Sequence, residues 1–256
     1  MAPFLSFDDK GPHSSLTPLV LIHGHPFDRT MWAPQIETFS AERRVIAPDL
    51  RGYGASPVVP GITPLPRFAQ DVRDLLDELE VDTFVLGGLS MGGQIAMACL
   101  ELFGDRVRGL LLADTTAAPE TEEGRVARNA MAERLLREGM RGYADEVLER
   151  MVAPYADAGV KAHVHRMMTA TDPRGAAAAL RGRAERSDYR PLLARTTVPS
   201  LVVVGADDTY TPLPDAPTLP NATLQVIPDA AHLPTLECPA AFNRALAALL
   251  PRVDTP

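Results

Sequence analysis

The chain alternates between short apolar runs and longer amphipathic stretches in its first half and again near its end. Six apolar runs have the length and composition of buried strands: Leu19–Ile22, Val45–Ala47, Phe84–Leu86, Leu110–Leu112, Leu201–Val204 and Leu224–Ile227. Nearly continuous apolar strands are typical of a sheet that is buried on both faces. Because helical patterns separate these strands, the sequence predicts an α/β fold with a mostly parallel, doubly wound sheet of about eight strands and right-handed crossovers.

Two of the separating stretches have the pattern of helices that cover a sheet. The first has apolar residues at helical spacing, namely Phe68, Val72, Leu75, Leu76 and Leu79. Its charged residues are predicted to face solvent, namely Asp71, Arg73, Asp74, Asp77 and Glu78. The second lies near the end of the chain and carries Phe242, Leu246, Leu249 and Leu250.

The alternation stops between about residues 116 and 189. Helical patterns dominate there, around residues 126–137, 143–151 and 160–168, and no strand-like run is visible. We therefore predict an α/β core made of residues 1–115 and 190–256, with residues 116–189 inserted as a helical cap. The alternative is a longer set of helices packed on the same core.

Length and charge limit the class of protein further. A chain of 256 residues, 46% hydrophobic and 23% charged, is long enough for one large α/β domain. The net charge of −8, without a dense Lys/Arg run, argues against nucleic acid and anionic membranes as partners and favours small molecules. The absence of a signal-peptide pattern and of an apolar run of about 18 residues predicts a cytoplasmic protein. The two cysteines, Cys99 and Cys238, do not suggest a disulfide framework. The sequence does not indicate an oligomeric state.

The segment Gly88-Leu89-Ser90-Met91-Gly92 stands between a predicted buried strand and a predicted helix. A sharp strand-to-helix turn strains the backbone at the serine, and the flanking glycines remove side chains that would clash. The following helix directs free N–H groups and its positive dipole end toward the turn. Ser90 is therefore the candidate nucleophile, with an ordinary glycine-rich turn as the alternative.

A serine nucleophile needs a general base and a carboxylate that orients the base. His232 follows the last predicted strand and so lies at the same edge of the sheet as Ser90. Asp208 follows the strand that ends at Val204, and we choose it as the acid. Asp207 and Asp114 remain rivals, because both also follow strands at that edge and either is equally well explained as a cap or turn residue.

An acyl-transfer site also needs N–H donors for the oxyanion. The backbone N–H of Met91 begins the helix after Ser90, and the turn His23-Gly24-His25-Pro26 follows the first buried strand. Pro26 has no N–H, so His25 is the predicted second donor.

These segments together resemble the α/β-hydrolase superfamily over nearly the whole chain. The matching segments are His23-Gly24-x-Pro26, Asp49 to Ser56 (D-x-R-G-x-G-x-S), Gly88 to Gly93, Gly205-x-x-Asp208, and His232 with Glu237 and Pro239. The resemblance implies the α/β-hydrolase fold with a cap, and it assigns nucleophile, acid and base to Ser90, Asp208 and His232.

Two departures from the family pattern narrow the expectation. Four prolines between Pro212 and Pro220 replace a helix that the family usually has, so this segment is predicted to be short or irregular. No tryptophan follows His232, which weakens the reading as a carbon–carbon bond hydrolase, and a serine at position 90 disfavours the dehalogenases and epoxide hydrolases of the superfamily.

The sequence thus predicts a serine hydrolase, of carboxylesterase type, that cleaves a small carboxylic ester or lactone without a cofactor or a metal. Enol-lactonase-like and perhydrolase-like activities are alternatives, as is a binding protein on the same fold that cleaves nothing. An enol-lactone with a free carboxylate would need an arginine from the cap, but the choices are too many to be diagnostic: Arg125, Arg128, Arg166, Arg181 and Arg183.

Overall fold

The computed structural model describes residues 4–254. Within that range, seven strands form one sheet in the order β1-β3-β2-β4-β5-β6-β7. Their bounds are β1 Phe7–Lys10, β2 Leu19–Ile22, β3 Val45–Pro48, β4 Phe84–Leu89, β5 Val107–Ala113, β6 Ser200–Gly205 and β7 Ala222–Ile227. β1 pairs antiparallel with β3, and the other pairings are parallel. The predicted fold class is confirmed, with seven strands where about eight were expected.

Eleven α-helices accompany the sheet in the described range. They are α1 Ala33–Phe39, α2 Leu65–Glu78, α3 Met91–Phe103, α4 Glu122–Glu138, α5 Arg141–Met151, α6 Ala158–Ala170, α7 Pro173–Ala184, α8 Arg190–Ala194, α9 Pro234–Glu237, α10 Pro239–Leu249 and α11 Pro251–Asp254. Short 3₁₀ turns occur at Arg29–Trp32, Gly104–Arg106 and Leu213–Asp215.

The sheet separates two apolar cores. Side chains alternate along each strand, so Leu19 and Leu21 of β2 belong to one core, while Val20 and Ile22 belong to the other. Helices α2 and α3 pack together over the second core, and α1 and α10 contribute to the first. All four residues of β2 are fully buried, which explains the uninterrupted apolar run in the sequence.

The parallel pairing brings the carboxyl ends of the central strands to one edge. Ile22 of β2 is in register with Gly88 of β4, and Leu89 is in register with Ala113 of β5. Ala113 follows Leu112, which pairs with Val202 of β6. Loops that leave β2, β4, β5 and β6 therefore begin close together, as expected for ligand sites in open α/β sheets.

The apolar side of α2 is confirmed, but the prediction for Asp71 was wrong. Asp71 is buried, and its carboxylate accepts hydrogen bonds from Arg51 Nε at 2.6 Å and Arg51 Nη2 at 2.5 Å. Arg51 is itself buried, so the two charges compensate each other away from water. Helical periodicity treats every charged residue as solvent-facing and cannot show a partner that lies outside the helix.

Residues 122–184 form four consecutive helices, α4 to α7, which we call the four-helix segment. Helix α4 packs on α7, and α5 packs on α6. The helical patterns expected around residues 126–137, 143–151 and 160–168 fall within α4, α5 and α6. The proline-rich stretch from Pro212 to Pro220 contains only the 3₁₀ turn, which confirms that it does not form a full helix.

No α-helix among residues 4–254 combines the length and the apolar character needed to cross a bilayer. Cys99 is a buried free thiol, and Cys238 is a partly exposed one.

Candidate active site

Ser90 occupies the sharp turn between β4 and α3. Its backbone has φ 57° and ψ −118°, a left-handed conformation that a serine adopts only when its surroundings impose it. A Cβ on Gly88 would lie 2.2 Å from the carbonyl oxygen of Gly92, and one on Gly92 would lie 2.1 Å from that of Ile22. The two glycines thus allow α3 to start directly against the end of β2, as the sequence predicted for this turn.

Hydrogen bonds from β5 and the loop after it hold the turn. The N–H of Ser90 donates to the carbonyl oxygen of Ala113 at 2.9 Å, and Thr115 Oγ1 donates to the carbonyl oxygen of Ser90 at 2.7 Å. The peptide groups on both sides of the serine are therefore fixed by a neighbouring strand, which limits relaxation of the strained backbone.

His232 and Asp208 form a buried pair at the same edge. His232 lies in the loop between β7 and α9, and its Nδ1 is 2.9 Å from Asp208 Oδ2. Asp208 lies in the loop after β6 and also accepts hydrogen bonds from the N–H groups of Tyr210, at 2.7 Å, and Thr211, at 3.2 Å. Thr211 Oγ1 donates to Asp208 Oδ2 at 2.5 Å.

These contacts favour the ionised form of Asp208. Burial alone would raise its pKa, but the charge and hydrogen bond of His232, with the donors from Thr211 and Tyr210, lower the pKa from 3.8 to about 2. Since the Asp208 carboxylate has no proton to give, His232 Nδ1 is the donor in this pair. His232 Nε2 is then the nitrogen that is able to accept a proton.

The two rival carboxylates differ from Asp208 in position. Asp207 is exposed, and its carboxylate accepts a hydrogen bond from the Tyr155 hydroxyl. Asp114 follows β5 and is fully buried, with Oδ1 accepting from the N–H of Gly205 at 2.8 Å and Oδ2 without a partner among the described residues. Burial, followed by the charge of Asp208, raises the pKa of Asp114 well above its usual range. Both effects favour the protonated form of Asp114.

One polar atom each of Asp114, Asp208 and His232 lie within 4.8 Å of one another, a spacing that metal ligands also show. Within the cluster, Asp208 is hydrogen-bonded to His232, and Asp114 Oδ1 accepts from the N–H of Gly205.

The loop after β2 approaches the serine closely. A Cβ on Gly24 would lie 3.3 Å from the Cβ of Ser90, so the glycine permits this approach. The ring of His23 is fixed in the loop: its Nε2 accepts from the N–H of Leu50 at 2.9 Å, and its Nδ1 lies 2.9 Å from the carbonyl oxygen of Gly24. His25, the next residue, is buried and lies beside Ser90 in the cavity described below.

Three of the predicted site residues, His25, Ser90 and His232, line one cavity of about 130 Å³. It is lined by His25, Ser90, Gln94, Thr116, Arg128, Tyr143, Met151, Leu180, Arg183, Tyr210, Thr211 and His232. The structure thus brings Ser90 and His232 together, with Asp208 behind His232, while Asp207 lies elsewhere. None of the hydrogen bonds found among residues 4–254 joins Ser90 Oγ to the His232 ring.

A larger groove of about 640 Å³ lies between the loop after β5, α8 and the proline-rich stretch. It shares only Thr116 with the smaller cavity and contains neither the serine nor the histidine. The smaller cavity is the functional candidate because it contains the strained turn and the buried Asp–His pair.

A serine held at this turn beside a buried Asp–His pair, at the carboxyl edge of a parallel sheet, is the arrangement of the α/β hydrolases. The chain belongs to the Alpha/beta hydrolase family, whose model matches residues 19–245. It is therefore a hydrolase of that family.

Relatives place it near esterases and lactonases. It is 30% identical to 3-oxoadipate enol-lactonase 2 of Acinetobacter baylyi over 88% of this chain and 85% of that protein. It is 32% identical to the pimeloyl-[acyl-carrier protein] methyl ester esterase of Chromobacterium violaceum over 90% of this chain and 92% of that protein. Among solved structures, a thermophilic esterase from Thermogutta terrifontis is 40% identical, with a TM-score of 0.94, covering 98% of this chain and 94% of that one.

Sequence reasoning did not distinguish among the five candidate arginines, Arg125, Arg128, Arg166, Arg181 and Arg183. The structure places Arg128 and Arg183 in the cavity. Gln94 also lines it, one turn after Ser90 in α3, and the spacing from the serine was the signal that could have identified it.

Proposed function

We propose that the protein hydrolyses a small carboxylic ester or lactone through an acyl-enzyme on Ser90. The observation that carries the proposal is the buried Asp208–His232 pair, which shares a cavity with a serine held in a strained turn. The esterases and the enol-lactonase among the relatives support the substrate class.

In the first half of the reaction, His232 Nε2 takes the proton of the Ser90 hydroxyl while Oγ attacks the carbonyl carbon. Asp208 accepts the Nδ1–H of His232, which fixes the tautomer and stabilises the imidazolium. The hydroxyl and imidazole need not be hydrogen-bonded before substrate binds, because such contacts often tighten only in the complex.

The tetrahedral oxyanion that results is assigned to the backbone N–H groups of His25 and Met91. Met91 is the first residue of α3, so its N–H has no intrahelical acceptor and lies at the positive end of the helix dipole. The approach of Gly24 to Ser90 brings the loop of His25 to the same place. A single donor of this kind contributes about 3 kcal/mol to such a transition state.

Collapse of the intermediate breaks the carbon–oxygen bond, and His232 returns the proton to the leaving alcohol, or to the ring-opened hydroxyl of a lactone. Water then attacks the acyl-enzyme by the same route, its proton passes to His232, and the acid is released. We assign residues 116–189 the role of a cap, because five of the cavity's residues come from the four-helix segment beyond the sheet edge: Arg128, Tyr143, Met151, Leu180 and Arg183.

The test is turnover of a panel of short-chain aryl esters, methyl esters and lactones by the wild type and by Ser90→Ala. We expect hydrolysis by the wild type, loss of nearly all of it in the variant, and a single covalent adduct on Ser90 after treatment with an aryl phosphonate, measured by mass spectrometry. Equal turnover by both proteins would refute the assignment of the nucleophile. Failure of the folded wild type on the whole panel would favour a binding protein.

A further inference from the structure

Arg183 of α7 is a buried cation inside the candidate active site. Only 8% of the residue is exposed, and it lines the cavity together with Ser90. Its Nε donates to Gln94 Oε1 at 3.1 Å. Within residues 4–254, its guanidinium forms no ion pair with a carboxylate, and no other hydrogen bond to its remaining nitrogens is found.

The charges near Arg183 increase the need for a counter-ion. Glu120 accepts hydrogen bonds from Arg128 Nε and, at 3.3 Å, from Arg186 Nη1. One carboxylate thus serves two of three neighbouring guanidinium groups, and none of the residues that line the cavity is acidic. Burial, followed by the charges of Arg128 and Arg186, lowers the pKa of Arg183 well below its usual range. An unpaired buried charge destabilises a fold strongly, so its presence here calls for an anion that enters the cavity.

The orientation of Arg183 suits a carboxylate. Because Gln94 accepts from Nε, the fork of Nη1 and Nη2 is free to donate to both oxygens of one carboxylate. Gln94 also places the guanidinium close to the nucleophile, since its N–H donates to the carbonyl oxygen of Ser90 at 3.2 Å. The two residues are four positions apart, about 6 Å along the axis of α3.

The other candidate arginines are engaged elsewhere. Arg125 is paired with Glu185 at 2.7 Å, and Arg181 is paired with Glu133 at 2.6 Å. Arg166 is exposed on α6 and does not line the cavity. This leaves Arg183 inside the cavity, with Arg128 at the boundary with an adjoining, more open cavity of about 430 Å³.

We propose that the substrate is a small ester or lactone that carries a free carboxylate, an inference that rests on the proposed function. Arg183 binds that carboxylate while the ester carbonyl lies against Ser90 Oγ. The small volume of the cavity, about 130 Å³, limits the substrate to a short chain between the two groups. Arg128 attracts the anion at the boundary with the open cavity, through which we expect the substrate to enter.

The experiment compares isosteric ester pairs by proton release at constant pH. In the first pair, monomethyl glutarate is matched with the methyl ester in which an isopropyl group replaces the carboxylate. In the second, the acetate ester of glycolate is matched with isobutyl acetate, so that the carboxylate lies on the alcohol side. We expect the wild type to favour the carboxylate member of at least one pair about tenfold or more in kcat/KM, and the pair that responds identifies the side.

Arg183→Met keeps the length of the side chain and removes its charge. We expect it to lower kcat/KM for the preferred carboxylate ester by about 10- to 100-fold relative to the neutral partner, as for loss of hydrogen bonds to a charged group. Arg181→Met is the matched control on the same helix, because Arg181 lies outside the cavity, and it should leave both values unchanged.

A wild type without preference for the carboxylate in either pair would overturn the inference, even if Arg183→Met did not fold. The inference would also be overturned if folded Arg183→Met lost kcat/KM equally for both members of a pair. Either result leaves the proposed function intact as long as hydrolysis of the neutral esters is abolished by Ser90→Ala. If hydrolysis survives in Ser90→Ala, the proposed function itself is wrong.

Discussion

Two buried carboxyl groups, those of Asp208 and Asp114, lie beside His232, and replacing each with asparagine distinguishes their roles. The Asp208 carboxylate accepts from His232 Nδ1 at 2.9 Å. Asparagine removes the negative charge that stabilises the imidazolium. Its amide is also able to donate to Nδ1, which would leave the proton on Nε2 and prevent His232 from accepting one from Ser90.

The size of the effect follows from the contacts of Asp208. Burial raises its pKa, yet His232 and the other donors lower it to about 2 from 3.8. A net lowering of roughly two units corresponds to about 2 to 3 kcal/mol of interaction with the carboxylate, or about a hundredfold in rate if it is lost in the transition state. The wrong tautomer adds to this loss, so we expect kcat to fall by about 10³- to 10⁴-fold.

Asp114→Asn is the matched comparison. The surroundings of Asp114 favour its protonated form, which has nearly the same shape as an asparagine, and Oδ1 of either is able to accept from the N–H of Gly205, which is 2.8 Å away in the wild type. We expect Asp114→Asn and the exposed Asp207→Asn to retain kcat within about tenfold of wild type.

The assay is steady-state hydrolysis of a short-chain aryl ester, with circular dichroism to show that each variant is folded. The reasoning is refuted if folded Asp208→Asn keeps more than about a tenth of the wild-type kcat, or if Asp114→Asn is the variant that loses activity.

Four further results are expected. Gly92→Ala should prevent stable folding, because its Cβ would lie 2.1 Å from a backbone carbonyl oxygen of β2. The control is Gly142→Ala in α5, whose Cβ meets only a flexible arginine tip at 4.0 Å and which should melt at or above the wild-type temperature. A soluble, fully active Gly92→Ala would contradict this. Glu237→Gln should lower the free energy of unfolding in urea by about 1 to 3 kcal/mol, because the carboxylate accepts three backbone N–H groups, and an unchanged midpoint would argue against that role. Asp71→Asn should cost about 3 to 5 kcal/mol in the same measurement, because it leaves a buried guanidinium unpaired, and a loss below about 1 kcal/mol would show that water reaches the site. Asp114 has a raised pKa in the fold, so its contribution to stability is complete below its unfolded pKa of 3.8 and is lost as pH rises toward the folded pKa. The melting temperature of Asp114→Asn relative to wild type should therefore increase with pH above 3.8. A difference that stays constant with pH would count against a raised pKa of Asp114 in the fold.

The strands and the serine turn were predictable because their signals are local. A strand buried on both faces must be apolar along its length, as β2 is, and the glycines at positions 88 and 92 are required by backbone approaches of 2.2 and 2.1 Å. Parallel connectivity then places the loops after β4, β6 and β7 at one edge, so Ser90, Asp208 and His232 could be grouped before any distance was known.

Charged residues were predicted less well, because burial of a charge depends on a partner far along the chain. Asp71 reads as an exposed position of α2, but it is buried, and its carboxylate pairs with Arg51 from a distant loop as well as with Arg67 of the same helix. Arg183 and Arg181 are two residues apart in α7, and no periodicity shows that the first enters the cavity while the second pairs with Glu133. Such differences arise when the four-helix segment packs over the sheet edge.

The cavity contains two imidazoles, and their surroundings assign them different tasks. Burial, followed by the charges of Arg183 and Arg128, lowers the pKa of His25 well below its usual range. His25 therefore stays neutral, with Nδ1 held at 2.7 Å from the Tyr53 hydroxyl. His232 instead donates to a carboxylate that stays ionised down to about pH 2. In the proposed mechanism, a proton leaving Ser90 would thus be stabilised on His232 and disfavoured on His25. The same arginines that would bind an anionic substrate also keep the second histidine from competing as the base.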